Sequence, residues 1–130
     1  MANKTFGSFL TQLRTSRNIN RNHLATVLHY SHSYIGDVEN GYRKPINRLD
    51  KLNKIVSFLK LNEEETQTLF NLVGKQRHEA PPDIVEYIID NDYVSRIIRL
   101  ARDLDASEKD WKRFERSLKR HYKGGGVDDE

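Results

Sequence analysis

The chain contains no cysteine, which excludes a disulfide framework, a thiolate zinc site and a cysteine nucleophile. It has no run of about 18 apolar residues, so no membrane span is expected. The opening MANKTFGSFLTQLRTSR lacks the apolar stretch and small-residue cleavage site of a secretory signal, and a cytoplasmic location is expected. No window alternates apolar and polar residues between turn signals, which leaves no sheet and predicts an all-α fold. Catalytic patterns are missing as well: there is no phosphate loop and no nucleophile–base spacing, so no enzyme and no cofactor are expected. His23, His29 and His32 are joined by no cysteine or carboxylate cluster, and Asp90-Asn91-Asp92 lacks the glycine and distal glutamate of a calcium loop. No metal is expected.

What the chain does have is charge. Charged residues make up 32% of its 130 positions against 36% apolar, which implies one lean core under a heavily charged surface. The net charge of +3 is unevenly spread. Residues 1–60 carry ten bases against Asp37, Glu39 and Asp50, whereas residues 61–106 carry five bases against ten acids. The basic first half points towards a polyanion.

The apolar spacing is helical almost throughout. Phe6, Phe9, Leu10 and Leu13 predict a first helix over roughly 5–17. Asn20 and Ser31 read as caps of a second and third helix, with Leu24, Ala25 and Leu28 inward in one and Ile35 and Val38 in the other. Gly41 ends the third, Asn47 is the expected cap of a fourth with Leu49, Leu52, Ile55, Val56 and Leu59 inward, and Asn62-Glu63-Glu64-Glu65 opens a fifth that Gly74 ends. KQRHEAPP (75–82) reads as a linker, with Pro82 suited to the first position of the next helix. Three shorter helices follow, marked by Ile84/Val85/Ile88/Ile89, by Val94/Ile97/Ile98/Ala101/Leu104, and by Trp111/Phe114/Leu118 after a Ser107 cap. Asp90 and Asp92 read as caps of the middle one. The expected domains are 1–77, a helical extension 78–123 for docking or dimerisation, and a disordered acidic tail 124–130.

Two short capped helices over residues 18–45 form a helix-turn-helix pattern. On a helical wheel, Ile35 and Val38 of the second of these helices face the core with Ser31 and Tyr42 beside them. Ser33, Gly36, Asp37 and Asn40 point away, flanked by His32. That outward face is small and hydrogen-bonding, suited to the base edges of a major groove. Arg21, Arg43, Lys44 and Arg48 bracket it, as positioning on two phosphate rails requires.

These residues carry a resemblance. Leu13-Arg14, Ile19-Asn20, Leu24-Ala25, Ser31, Ser33-Tyr34-Ile35, Val38-Glu39-Asn40-Gly41, Lys44-Pro45 and the Leu49/Leu52 helix are similar to the phage-repressor (Cro/cI-like, Xre-type) helix-turn-helix family over residues 6–73. The resemblance implies a five-helix DNA-binding bundle with 31–40 as recognition segment. His32, Ser33, Gly36 and Asp37 would stand at base-facing positions, with Arg21, Asn40, Tyr42, Arg43 and Lys44 at backbone-contacting ones. It also implies a structural ion pair between Arg14 and Glu39, and a bacterial or phage origin. The chain departs from the family in Arg21, where many members have glutamine, and in His29, where a turn glycine is usual. Asp37 on a reading face is repelled by phosphates unless it accepts from a cytosine amino group. Tyr34 is left between packing on the second helix and touching a phosphate or thymine methyl. The segment from PPDIVEYI to the Trp111 helix is similar to an extension of bacterial Xre-type regulators from mobile elements.

The expected function is a sequence-specific regulator, a repressor bound as a homodimer to a palindromic operator on double-stranded DNA, with no membrane and no small-molecule ligand. The alternative is a protein-interaction module on the same scaffold, an antitoxin-like or regulatory partner that binds another protein through its C-terminal helices.

Overall fold

A computed structural model describes residues 4–125, all helical apart from turns, with no strand among them. The expected acidic tail falls mostly at 126–130, outside the described residues. The helices are α1 (Phe6–Thr15), α2 (Arg21–Leu28), α3 (His32–Glu39), α4 (Leu49–Leu59), α5 (Glu63–Arg77), α6 (Val85–Asp90), α7 (Asp92–Asp103) and α8 (Glu108–Arg120), closed by a π turn at His121–Gly125. The chain divides into two compact units that part between Tyr87 and Ile88.

In the first unit, short-range chemistry starts each of the first three helices. Thr5, Asn20 and Ser31 stand in extended backbone and accept from the amides of Ser8, His23 and Tyr34, satisfying donors that the first turn leaves free. Asn62 and Glu65 form a reciprocal capping box ahead of α5. The apolar stripes then converge. Phe6, Leu10, Leu24, Leu28, Ile35, Leu52, Ile55 and Leu69 are fully enclosed in one cluster reaching from Phe6 to Val73. Each such side chain contributes about 1.5–3 kcal/mol through burial.

Several boundaries differ from the sequence expectation, each for a tertiary or geometric reason. Arg48, and not Asn47, occupies the N-cap of α4; it makes no side-chain cap and its guanidinium reaches Asp50 at 2.9 Å. Leu49, expected in the core, is exposed. Gly74 does not end α5, which runs on to Arg77 and closes at a left-handed His78. The missing side chain at Gly74 instead leaves room for the backbone of Glu79–Pro81, since a Cβ there would lie 2.6 Å from the Glu79 carbonyl oxygen. Pro82 sits in a turn before α6 and not at its first position, and Asn91, flanked by Asp90 and Asp92, is the N-cap of α7.

The second unit contains α7 and α8. Ser107 and Asp110 form a capping box at the start of α8, and no described residue after Gly74 is buried.

Candidate nucleic-acid interface

The turn between α2 and α3 is three residues long: His29, Tyr30 and Ser31. His29 takes the left-handed conformation (φ 60°, ψ 38°), a geometry usually reserved for glycine. The turn is held by Tyr30 N–H donating to Ala25 O at 3.0 Å and by the Lys51 ammonium donating to Leu28 O at 2.7 Å. The same ammonium lies 5.0 Å from the Tyr30 ring centre, and burial, then neighbouring Tyr34, pushes the Tyr30 phenol above its ordinary pKa.

α3 is fixed from beneath by apolar and ionic contacts together. Ile35 and Val38 enter the core. Beside them Glu39, itself buried, accepts from Arg14 Nε at 2.8 Å and Arg14 Nη2 at 3.0 Å, and also from Arg21 Nε at 2.9 Å. Arg14 further donates to Ile19 O at 2.9 Å. One carboxylate thus ties α1, α2 and α3 together. Gly7 completes the junction: a Cβ there would collide with the Glu39 and Val38 carbonyl oxygens, so α1 approaches the end of α3 only because position 7 is bare.

His32 and Ser33 are exposed at the start of α3, Asp37 is half-exposed, and Asn40 is exposed at its end. Gly36 is not part of this open face. It is buried, and the Arg21 guanidinium lies over it, 3.3 Å from where its Cβ would stand. Tyr42, expected beside the core, is 80% exposed, because the left-handed Gly41 (φ 84°) turns the chain outward. The Tyr42 and Arg43 amides both donate back to Asp37 O, at 2.8 and 3.3 Å, which holds these two residues and Lys44 close to the C-terminal end of α3.

Arg43 is engaged within the protein. Its Nε is 3.7 Å from Asp37 Oδ2 and its guanidinium lies 5.2 Å from the Tyr34 ring centre. Tyr34 in turn packs on Tyr30 with centroids 4.6 Å apart. The loop after α3 is anchored by buried Ile46 and by Arg77 Nη1 donating to Pro45 O at 2.9 Å. Between loop and turn lies an open cleft of about 500 Å³, lined by Tyr30, Tyr34, Tyr42, Arg43, Lys44, Arg48 and Arg77 among others.

His32, Ser33, Asp37, Asn40, Tyr42, Arg43 and Lys44 therefore meet along one exposed edge. Gly36 does not join them, and Arg21 reaches them only as a partly exposed brace. Gly7, Lys51 and Arg77 were not singled out from the sequence. Their roles depend on partners 23 to 32 positions away in the chain, which no local pattern marks.

Residues 5–69 match the family described as a helix-turn-helix domain. The chain belongs to that family. No curated protein and no solved structure matches it. The helix-turn-helix match spans α1 to the first half of α5 and so contains the whole Glu39 brace and the exposed edge of α3. Membership points to DNA binding. Among the described residues no helix is long and apolar enough to cross a membrane, and no group of three His, Asp or Glu side chains is placed to hold a metal.

Proposed function

We propose that the protein is a sequence-specific DNA-binding transcriptional regulator, a repressor that occupies a palindromic operator as a symmetric dimer. The observation that carries this reading is the exposed edge of α3, small and polar, with cationic and tyrosine side chains gathered at its end and its underside locked to α1 and α2. A helix so held can enter a major groove about 12 Å wide. His32, Ser33 and Asp37 would meet base edges, and Asn40, Tyr42, Arg43 and Lys44 would contact phosphates. Arg21 has its Nε committed to Glu39, which leaves the outer guanidinium nitrogens for a phosphate. A single short helix offers few base contacts, so two linked copies on half-sites whose centres lie about 34 Å apart multiply the effective affinity.

The test is duplex binding against salt, followed by selection of bound sequences from a random pool. Affinity should fall log-linearly with salt, with a slope set by several phosphate contacts, and the selected consensus should be palindromic. Binding with no salt slope and no preference over random duplex would sink the regulator reading and leave the protein-interaction module in its place.

A further inference from the structure

α8 lies outside the helix-turn-helix match, and its charges are sorted by side. Over Glu108–Arg120 it carries six bases against three acids, all of them exposed. Each acid is matched by a base of the same helix: Glu108 by Lys112 at 3.1 Å, Asp110 by Arg113 at 3.5 Å and Glu115 by Lys119 at 3.2 Å. The surplus is Lys109, Arg116 and Arg120, which have no ion-pair partner among the described residues. At 100° per residue these three fall within an arc of about 40°, with Arg113 at its border, and at 1.5 Å per residue they form a row about 17 Å long. Trp111, Phe114 and Leu118, each about half-exposed, make a stripe on the opposite side. The three acids stand between the two faces, nearer the apolar one.

We propose that the ridge of Lys109, Arg113, Arg116 and Arg120 is a second contact for the phosphate backbone of a duplex, independent of base sequence and additional to the edge of α3. A duplex strand presents one phosphate per about 3.4 Å of axis, so a row of this length lies against four or five of them, about one for each ridge cation. Three of the four cations are arginines, whose planar fork matches phosphate oxygens two at a time. A helix surface that serves only solubility intersperses the two signs, whereas here every unmatched charge is positive and on one side. An anionic bilayer fits less well. The apolar and cationic sides of α8 point apart, so laying the stripe on a membrane would turn the ridge away from the headgroups and bring three carboxylates towards them. Because the two sides are opposed, burial of the stripe leaves the ridge in solvent. The inference rests on the DNA-binding reading above for the presence of a duplex. Chain connection between the units then makes the ridge contact intramolecular once α3 is seated.

The test is the salt dependence of duplex binding by the full chain, on a duplex selected as above and on a random one. Each phosphate contact adds about 0.9 to the slope of log affinity against log salt. Lys109→Gln/Arg116→Gln/Arg120→Gln, in which glutamine keeps the helix, should therefore lower the slope by about two to three on both duplexes. It should weaken both by roughly tenfold or more at about 0.1 M salt and leave the preference between them unchanged. The charge-keeping Arg116→Lys/Arg120→Lys should retain the slope. So should Lys54→Gln/Lys60→Gln/Lys75→Gln, which removes the same charge from exposed positions of the first unit. An unchanged slope in the ridge variant overturns the inference, as does an equal loss in the two triple variants, which would report net charge alone. It is overturned too if the parent sediments with phosphatidylglycerol vesicles and the ridge variant loses that property while binding duplex as before. A parent that prefers particular duplexes, with its slope intact in the ridge variant, removes the ridge alone. A parent that binds every duplex alike, with a slope that the ridge variant lowers, removes the sequence-specific regulator reading alone.

Discussion

Glu39 is the residue on which the position of α3 turns. Its carboxylate has no exposed side-chain surface and accepts from two arginines. Glu39→Gln would leave Arg14 buried against an amide, at a cost of about 3–5 kcal/mol, to be read as a fall in the urea midpoint with unchanged slope. Asp37 and Arg43 make the opposite kind of pair, long and solvent-exposed, and such pairs contribute little stability. On the proposed DNA-binding reading their importance would lie in binding, since Arg43 would have to leave Asp37 to reach a phosphate. Ser33→Ala with Asp37→Ala should relax sequence preference and leave the salt slope roughly unchanged, while Arg43→Ala should weaken all duplexes alike and reduce the slope by about one. Equal titrations of parent and variants over a salt series decide this. His29 bears the strain of the turn, and His29→Gly should raise stability by roughly 0.5–1 kcal/mol after the added freedom of the unfolded chain is discounted.

At the level of elements, what was legible followed from local chemistry. Asn20, Ser31, Asn62 and Ser107 cap the helices they were expected to cap, because a cap needs only its own next turn. Gly74 misled for the converse reason: α5 passes through it because a returning segment occupies the space beside it. Asn47 missed by one position, since α4 begins after Arg48, whose guanidinium pairs with Asp50 two residues on. The wheel of α3 placed Ile35 and Val38 correctly but could not show that Arg21 covers Gly36, since that contact crosses between helices. Gly7→Ala tests the tightest of these junctions. It should cost at least about 1–3 kcal/mol through overpacking, and the strain falls on the end of α3, so affinity for duplex should drop along with the melting temperature. In the second unit, hydrogen bonds from Ser107, first its amide and then its hydroxyl, hold the Asp110 carboxyl below its ordinary pKa. That stabilisation is present above the ordinary carboxylate value of about 4 and is lost as pH falls through the lowered one. Circular dichroism on acidification should show α8 fraying there; Ser107→Ala, which keeps the amide donor and loses only the hydroxyl, should weaken the dependence, and Asp110→Asn should remove it.

For the whole molecule, the division of burial is the governing fact. The enclosed side chains all lie between Phe6 and Val73, and α7 and α8 have none. Amides of α1–α5 should therefore exchange with solvent at rates independent of protein concentration. Those of α7 and α8 should become protected as concentration rises, since anything that binds only the ordered form stabilises it by mass action. Hydrogen exchange at two concentrations a hundredfold apart separates the two behaviours, and equal protection at both would speak against self-association. The fold class was readable because helical periodicity persists along most of the chain. The short helices of 78–123 already read as enclosing little volume; what their apolar face meets was not readable, because an amphipathic stripe looks the same whether it meets its own chain or another.

The three-way junction at Glu39 has a mechanical corollary. If α3 reads DNA as proposed, a helix bolted to two neighbours through a buried carboxylate has little room to rock or slide when it meets an irregular groove. Compliance must then come from the nucleic acid, and operators should be chosen in part by how easily they flex. Pyrimidine–purine steps between the half-sites, touched by no side chain, would be enriched among bound sequences for that reason alone.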